Sequence, residues 1–268
     1  MDGLLHGLYA DYPLLEGDRA YSCHAAVRSV RPFRQGFAHK VRFTVDGRAP
    51  HEDMPAGQAL AVLEWGLNLV IALRFHRYLM LHSAVVERGG RALLLPAWPG
   101  YGKTTLCVAL VHRGWRLLSD EFGLVRPGST SFVPVPRLMP LKNESIDVIR
   151  AFAPDAVLGP EIPNTRKGTV AHVRPPASSI ARAGDEAPVR WLVFPRWTSG
   201  APLRLERIPP VEAFMQVATN AFNFEMLGAP AFDTVRAIVE ASACFRLDYS
   251  DLGRAVAALT ALADDDER

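Results

Sequence analysis

The sequence predicts an α/β fold, and three observations carry that expectation. Residues 91–96 form a nearly all-apolar run, the pattern of a strand buried on both faces. A glycine-bearing loop, Ala97-Trp98-Pro99-Gly100-Tyr101-Gly102, follows and leads through Lys103-Thr104-Thr105 into an apolar helical stretch. A second strand, Trp115 to Ser119, comes next and ends on Asp120-Glu121. Strand, loop, helix and strand in close succession are the alternation of an α/β layer structure.

The elements follow in order. Residues 1–50 read as a small β-rich start, with strands at Ala25–Val30 and Val41–Val45 and turn signals at Arg34-Gln35-Gly36 and Asp46-Gly47. Leu60, Leu63, Leu67 and Val70 recur at helical spacing and predict a buried amphipathic helix from about Gly57 to Arg77. Leu81–Glu87 is a strand, Gly89-Gly90 a tight turn and Arg91–Pro96 the central strand. The helix after the loop ends at Gly114, with His112 and Arg113 in its last turn, where cations suit the helix dipole. Gly123-Leu124-Val125 is expected to pair back on Trp115–Ser119.

Residues 126–190 are rich in proline and loops, with one helix over Glu144–Phe152 capped by Asn143, and a mobile stretch from Ser178 to Pro188. Strands follow at Val189–Pro195 and Leu203–Ile208, and helices at Pro210–Leu227 and Phe232–Ala243. A strand at Phe245–Tyr249 and a helix at Leu252–Leu262 close the fold before a frayed acidic tail, 264–268. Within Asn220-Ala221-Phe222-Asn223-Phe224, the two phenylalanines are expected to pack in the core.

Composition bounds the function classes. The chain has 268 residues, 49% hydrophobic and 22% charged, which excludes disorder, collagen-like repeats and a disulfide scaffold. Lys and Arg number 30 against 28 Asp and Glu, too even a balance for a dedicated nucleic-acid binder. Cys23, Cys107 and Cys244 lie far apart, form no zinc-ligand spacing and suit a reducing cytosol as buried apolar residues. The first residues lack the basic and apolar regions of a signal peptide, so a cytoplasmic location is expected. The most apolar stretch, Ala59 to Leu81, carries Glu64, Arg74, His76 and Arg77, and its uncharged piece is too short to span a bilayer.

Gly102-Lys103-Thr104 matches the end of the phosphate-loop pattern G-x-x-x-x-G-K-[ST], with Ala97 in place of its first glycine. The chemistry explains those residue types. Glycines let backbone N–H groups ring a phosphate, the lysine neutralises its oxygens, the hydroxyl ligates Mg²⁺, and the helix N-terminus adds positive potential. Pro99, Gly100, Tyr101, Gly102, Lys103, Thr104 and Thr105 are therefore the candidate nucleotide-binding residues. Pro99 stiffens the loop, and Trp98 and Tyr101 are expected to pack locally. Such a loop needs an acid near its metal, and Asp120 ends the next strand, 17 residues after Lys103. Adjacent acids on an extended strand point to opposite sides, so only one of Asp120 and Glu121 is expected to face the nucleotide.

The run from His82 through the strand, loop and helix to Arg113-Gly114 and Asp120-Glu121 resembles the catalytic domain of HPr kinase/phosphorylase. That family has a histidine on the strand before its phosphate loop and an Asp-Asp pair soon after. The wider chain, including residues 136–145 and 167–172, resembles the HPr-kinase-related kinases of bacterial gene clusters. The resemblance implies a P-loop kinase core of the HPr kinase/phosphoenolpyruvate carboxykinase type with a twisted mixed sheet. Residues 1–78 would form a small N-terminal α+β region, 79–263 the catalytic domain and 264–268 the tail.

It also implies roles. Lys103 and Thr104 would hold phosphate and Mg²⁺, Asp120 would be the base toward an acceptor hydroxyl, and Glu121, where the family has its second Asp, would serve the metal. His82 would tune or orient the acids. The implied donor is ATP, and the implied acceptor is a serine hydroxyl on a peptide or small protein, with a small sugar or amino-acid derivative as the alternative. No nucleic-acid or membrane partner is expected, and a homo-oligomer is in keeping with the resemblance. Phosphoryl transfer needs a further cation, and Arg137, Lys142, Arg166, Lys167 and Arg196 are the candidates. A nucleotide-binding module without transfer chemistry is the remaining reading.

Overall fold

The computed structural model describes residues 2–14, 21–30 and 39–265. The turn signal at Arg34-Gln35-Gly36 and residues 266–268 lie outside that range. Helix α1 (Asp2–Leu8), unforeseen from sequence, opens the fold. Strands β1 (Ala25–Val30), β2 (Lys40–Val45) and β3 (Met54–Pro55) form a small antiparallel sheet. A short 3-10 turn, Ala56–Gln58, leads into α2 (Ala59–Arg74), which stops short of the expected Arg77. Phe43 of β2 packs against Val62 and Val70 of α2, and its ring fills the space beside Gly66, where a Cβ would collide. By length and composition Ala56–Arg74 is apolar enough to cross a bilayer, yet half of its apolar window is buried within the fold. Its Glu64 is buried too, paired with Arg137.

The main sheet has eight strands. They are β4 (Leu79–Arg88), β5 (Arg91–Pro96), β6 (Arg116–Ser119), β7 (Phe122–Val125), β8 (Ser131–Val133), β12 (Ala187–Trp197), β13 (Arg204–Arg207) and β14 (Ala243–Tyr249). The order is β13-β14-β12-β5-β4-β7-β8, with β6 also on β4. Strand β12 runs parallel to β5 and β14, while β4 is antiparallel to β5, β6 and β7, so the sheet is mixed. The first residues of β12 pair with β8 as well, which closes a ring of β12, β5, β4, β7 and β8.

Helices cover both faces. On one side α3 (Lys103–Val111), α4 (Ser145–Phe152) and α9 (Leu252–Asp265) enclose Leu93 and Leu95 of β5. On the other, α6 (Pro210–Thr219) and α8 (Ala229–Glu240) pack against Ala92 and Leu94. This two-sided cover explains why β5 is apolar throughout. The remaining elements are β9 (Met139–Lys142), β10 (Ile162–Thr165), β11 (Gly168–Val173), α5 (Ala177–Ala181) and α7 (Phe224–Leu227).

Several expectations are corrected. Strand β7 pairs with β4 and not with β6, so β6 and β7 share one edge of the long β4. The proline-rich middle holds a three-stranded sheet, β10-β11-β9, built by a hairpin that sequence spacing alone did not reveal. Asn143 does not cap α4; it takes φ +50 and its Oδ1 accepts a hydrogen bond from the Thr169 N–H. The segment expected to be mobile contains α5, where the buried Ser179 Oγ accepts from the Leu117 N–H. The helix expected over Pro210–Leu227 breaks at 220–223, because the Asn223 side chain pairs with the backbone of Tyr78 and Met80. Helix α9 runs on to Asp265, and Asp264 accepts from Arg88 Nε at 2.7 Å, so the acidic end is not wholly a frayed tail.

Candidate functional site

The glycine loop leaves the C-terminal end of β5 at the centre of the sheet. Gly102 is the residue before α3 and has φ +81, a conformation that L side chains rarely adopt. A Cβ there would stand 2.7 Å from the Tyr249 hydroxyl and 3.1 Å from Trp197 Cβ, so space as well as backbone requires glycine. The same neighbours hold the loop. Trp197 N–H donates to Tyr101 O at 3.2 Å, and Tyr249 OH donates to Gly102 O at 3.4 Å. No side chain caps α3, which leaves its leading amides free for an anion.

Lys103, the first residue of α3, turns under the loop and is buried. Its Nζ donates to the backbone carbonyl of Asp120 and lies 3.9 Å from Asp120 Oδ1. Asp120 and Glu121 interrupt the pairing between β6 and β7 along β4, since Ser119 pairs with Val85 and the next paired residue is Phe122, opposite His82. Freed from regular strand alternation, both acids line one cleft, where only one was expected.

The two carboxylates differ. The Asp120 side chain is 3% exposed and both of its oxygens lack a hydrogen-bond partner, whereas Glu121 is 24% exposed. Burial pushes the Asp120 pKa up, against the pull of Lys103. Burial also acts to raise Glu121, but Lys103, Lys142, His82 and Lys167 together bring it below the usual value. His82 Nε2 stands 3.7 Å from Glu121 Oε2. Its pKa is lowered by burial first and Lys103 second, which favours the neutral ring at pH 7.

Lys142, at the end of β9, and Lys167, in the β10–β11 turn, line the same cleft. Burial and the nearby Lys167 lower the Lys142 pKa. Arg137 lies in the cleft too, but its guanidinium is engaged by Glu64 and Asn68 of α2, leaving only Nε unpartnered. Arg166 lies outside this cleft, in a shallower pocket with His51 and Trp65. Arg196, at the end of β12, lines a different cleft, together with Trp98 and Tyr101 of the glycine loop.

Sequence reasoning did not single out Glu64, Asn68 and His172, which line the inner end of the cleft. Both ring nitrogens of the buried His172 lack partners, and burial lowers its pKa. Phe222, expected to pack in the core, is placed otherwise. It is half exposed and not in the core, with its ring 5.5 Å from His82 and 5.0 Å from Phe122. No local signal marks these residues, because long-range packing brings them to the cleft.

Among the described residues no cluster of three or more His, Cys, Asp or Glu side chains gathers to hold a metal alone. Magnesium needs none, since it commonly takes one or two carboxylates together with waters and substrate phosphates. Thr104, Asp120 and Glu121 supply oxygen donors of the kind it prefers, and the unpartnered buried oxygens of Asp120 fit that role.

No protein-family model matches the chain, and no curated protein matches it. Among solved structures, the Hpr(Ser) kinase/phosphatase from Coxiella burnetii is similar at 12% identity, covering 70% of this chain and 95% of that chain, with a TM-score of 0.29. At that distance no residue role passes from one protein to the other.

Proposed function

We propose that the protein is an ATP- and Mg²⁺-dependent kinase that transfers the γ-phosphoryl group to a hydroxyl. One observation carries this reading. The Asp120 carboxylate is buried beneath a glycine loop and a helix N-terminus, unpartnered by hydrogen bonds and 3.9 Å from the loop lysine. A buried acid without donors calls for an explanation, and a cation bound beside a phosphate supplies one. Magnesium, when bound, would neutralise charge on the phosphates and hold them in line for transfer.

The chain's own residues then divide the work. The leading amides of α3 and Lys103 Nζ would bind the phosphates, and Thr104 Oγ1 and Asp120 would hold the metal. A general base must come within hydrogen-bond reach of the acceptor hydroxyl. The more exposed Glu121 meets that requirement better than the sealed Asp120, so the base role moves from Asp120, where the family resemblance put it, to Glu121. The lowered pKa of Glu121 keeps it ionised and able to take the proton. Neutral His82 orients it from 3.7 Å. Lys142 and Lys167 stabilise charge on the group in transfer.

Two acceptor classes remain, each with its own support. The half-exposed Phe222 beside His82 suits a serine on a peptide or small protein. The unpartnered His172 and Arg137 Nε at the inner end of the cleft suit a small polar molecule enclosed there. Mass spectrometry of peptide and metabolite pools after incubation with ATP and Mg²⁺ tests the proposal, with Lys103→Ala as control. A phosphorylated hydroxyl compound made by the wild type alone is the expected result. ATP binding with no acceptor ever modified would leave a nucleotide-binding module.

A further inference from the structure

The acids line one cleft, and a second, separate cleft opens against the glycine loop. It is an open space of about 830 Å³ between the loop, the end of β12 and α6, with Trp98, Tyr101, Arg196 and Gln216 among its walls. Trp98 and Tyr101 do not pack locally as expected; they are 51% and 37% exposed. Large aromatic side chains held this open on a loop pinned by Trp197 offer π-faces to a flat ligand.

We infer that this cleft is the nucleobase subsite, in which the base of the donor nucleotide stacks on Trp98 and Tyr101 with Arg196 at its edge. The inference rests on the kinase reading and adds to it a direction. A nucleotide whose phosphates sit on the amides of α3 has two ways to lie. One runs into the cleft of Asp120, Glu121, Lys142 and Lys167, which is polar and confined and must receive the acceptor. The other runs past Gly100 into the second cleft, which is wider, free of carboxylates along its lining and walled by aromatics. Stacking on an aromatic face tolerates any base, while the base–arginine contact adds cation–π attraction. The donor base and the acceptor thus occupy different clefts, and Arg196 serves the nucleoside and not the transferred phosphoryl group.

The test compares two probes, Mg²⁺·ATP and Mg²⁺·tripolyphosphate, titrated calorimetrically into the wild type, Trp98→Ala, Trp98→Phe and Lys103→Ala. Trp98→Ala should weaken ATP by about tenfold or more, the scale of one stacked base. It should leave tripolyphosphate unchanged, and Trp98→Phe should restore most of the loss. If Trp98→Ala and a Tyr101→Ala variant bind ATP like the wild type while Lys103→Ala loses both probes, the loop binds phosphate and the nucleobase assignment falls. If the wild type binds neither probe, the kinase reading falls and the inference falls with it.

Discussion

Lys103 and Asp120 meet twice: the lysine ammonium donates to the aspartate's backbone carbonyl and also stands 3.9 Å from its carboxylate. The first contact docks the start of α3 on the end of β6. The second is the largest charge compensation, ahead of Lys142, for a buried acid whose two oxygens lack a close hydrogen-bond partner among the described residues. Removing one partner of a buried pair leaves the other charge uncompensated, which costs more than the pair contributes.

Lys103→Ala should therefore do two things. It should abolish most of the thermal stabilisation by Mg²⁺·ATP, which for the wild type at ~100 times Kd is about 2.7 kcal/mol. It should also lower the melting temperature of the free protein, by less if Asp120 takes up a proton. Differential scanning calorimetry with and without nucleotide reads both effects, and an unchanged ATP shift contradicts the site.

Asp120→Asn and Glu121→Gln should fail differently. On the proposed reading, Asp120→Asn keeps the volume but loses the charge that would hold the metal, so Mg²⁺-dependent nucleotide affinity should fall. Glu121→Gln should bind nucleotide nearly as the wild type does, and its transfer rate should drop by ~10²–10⁴, the usual contribution of a general base. Binding and single-turnover assays on both variants separate the roles, and a Glu121→Gln enzyme of wild-type rate returns the base to Asp120.

The raised pKa of Asp120 gives opposite pH trends for folding and for binding. A carboxyl whose pKa is higher in the folded state than its unfolded ~3.9 contributes stability that is fully present below the unfolded value. That contribution is lost as pH rises through the folded value. Metal binding needs the ionised acid, so Mg²⁺·ATP affinity should weaken as pH falls through the same window. Titrations of melting temperature and of affinity between pH 4 and 8 should diverge in the wild type, and Asp120→Asn should flatten both.

Gly102→Ala should disorganise the loop. Its φ of +81 and the 2.7 Å approach to the Tyr249 hydroxyl both oppose a Cβ. A cost of about 1–3 kcal/mol is expected from backbone strain at such a position. Adding Tyr249→Phe removes the clashing oxygen and should recover part of the stability, but not the part due to φ. Equal stability of Gly102→Ala and the wild type in urea would show that the loop tolerates a side chain.

The legible parts of the chain were those encoded locally. Strand β5 was read at its observed ends, and the loop and α3 follow with no partner needed to recognise them; α3 ends at Val111, so His112 and Arg113 lie past its last turn and Gly114, at φ +93, closes the turn that follows. Long-range choices were not legible. Nothing local tells Gly123-Leu124-Val125 to take the edge of β4 and not that of β6, yet this choice breaks the strand at Asp120-Glu121 and turns both acids into one cleft. Likewise Arg137 looked like a free cation until α2, far away in sequence, brought Glu64 and Asn68 to it. Phe222 read as core because a continuous helix would have buried it, and the Asn223 hydrogen bonds to the start of β4 are what expose it.

The bond from Tyr249 to Gly102 spans 147 residues. It makes the glycine loop depend on the last strand of the sheet, which in turn docks on β12 and only through β12 on β5. During synthesis the Gly102-Lys103-Thr104 segment leaves the ribosome long before Tyr249 exists, so a nascent chain carries the motif without the geometry. On the proposed reading, nucleotide could not steady the early chain as it folds; its stabilising effect would begin only after Tyr249 has been made and placed.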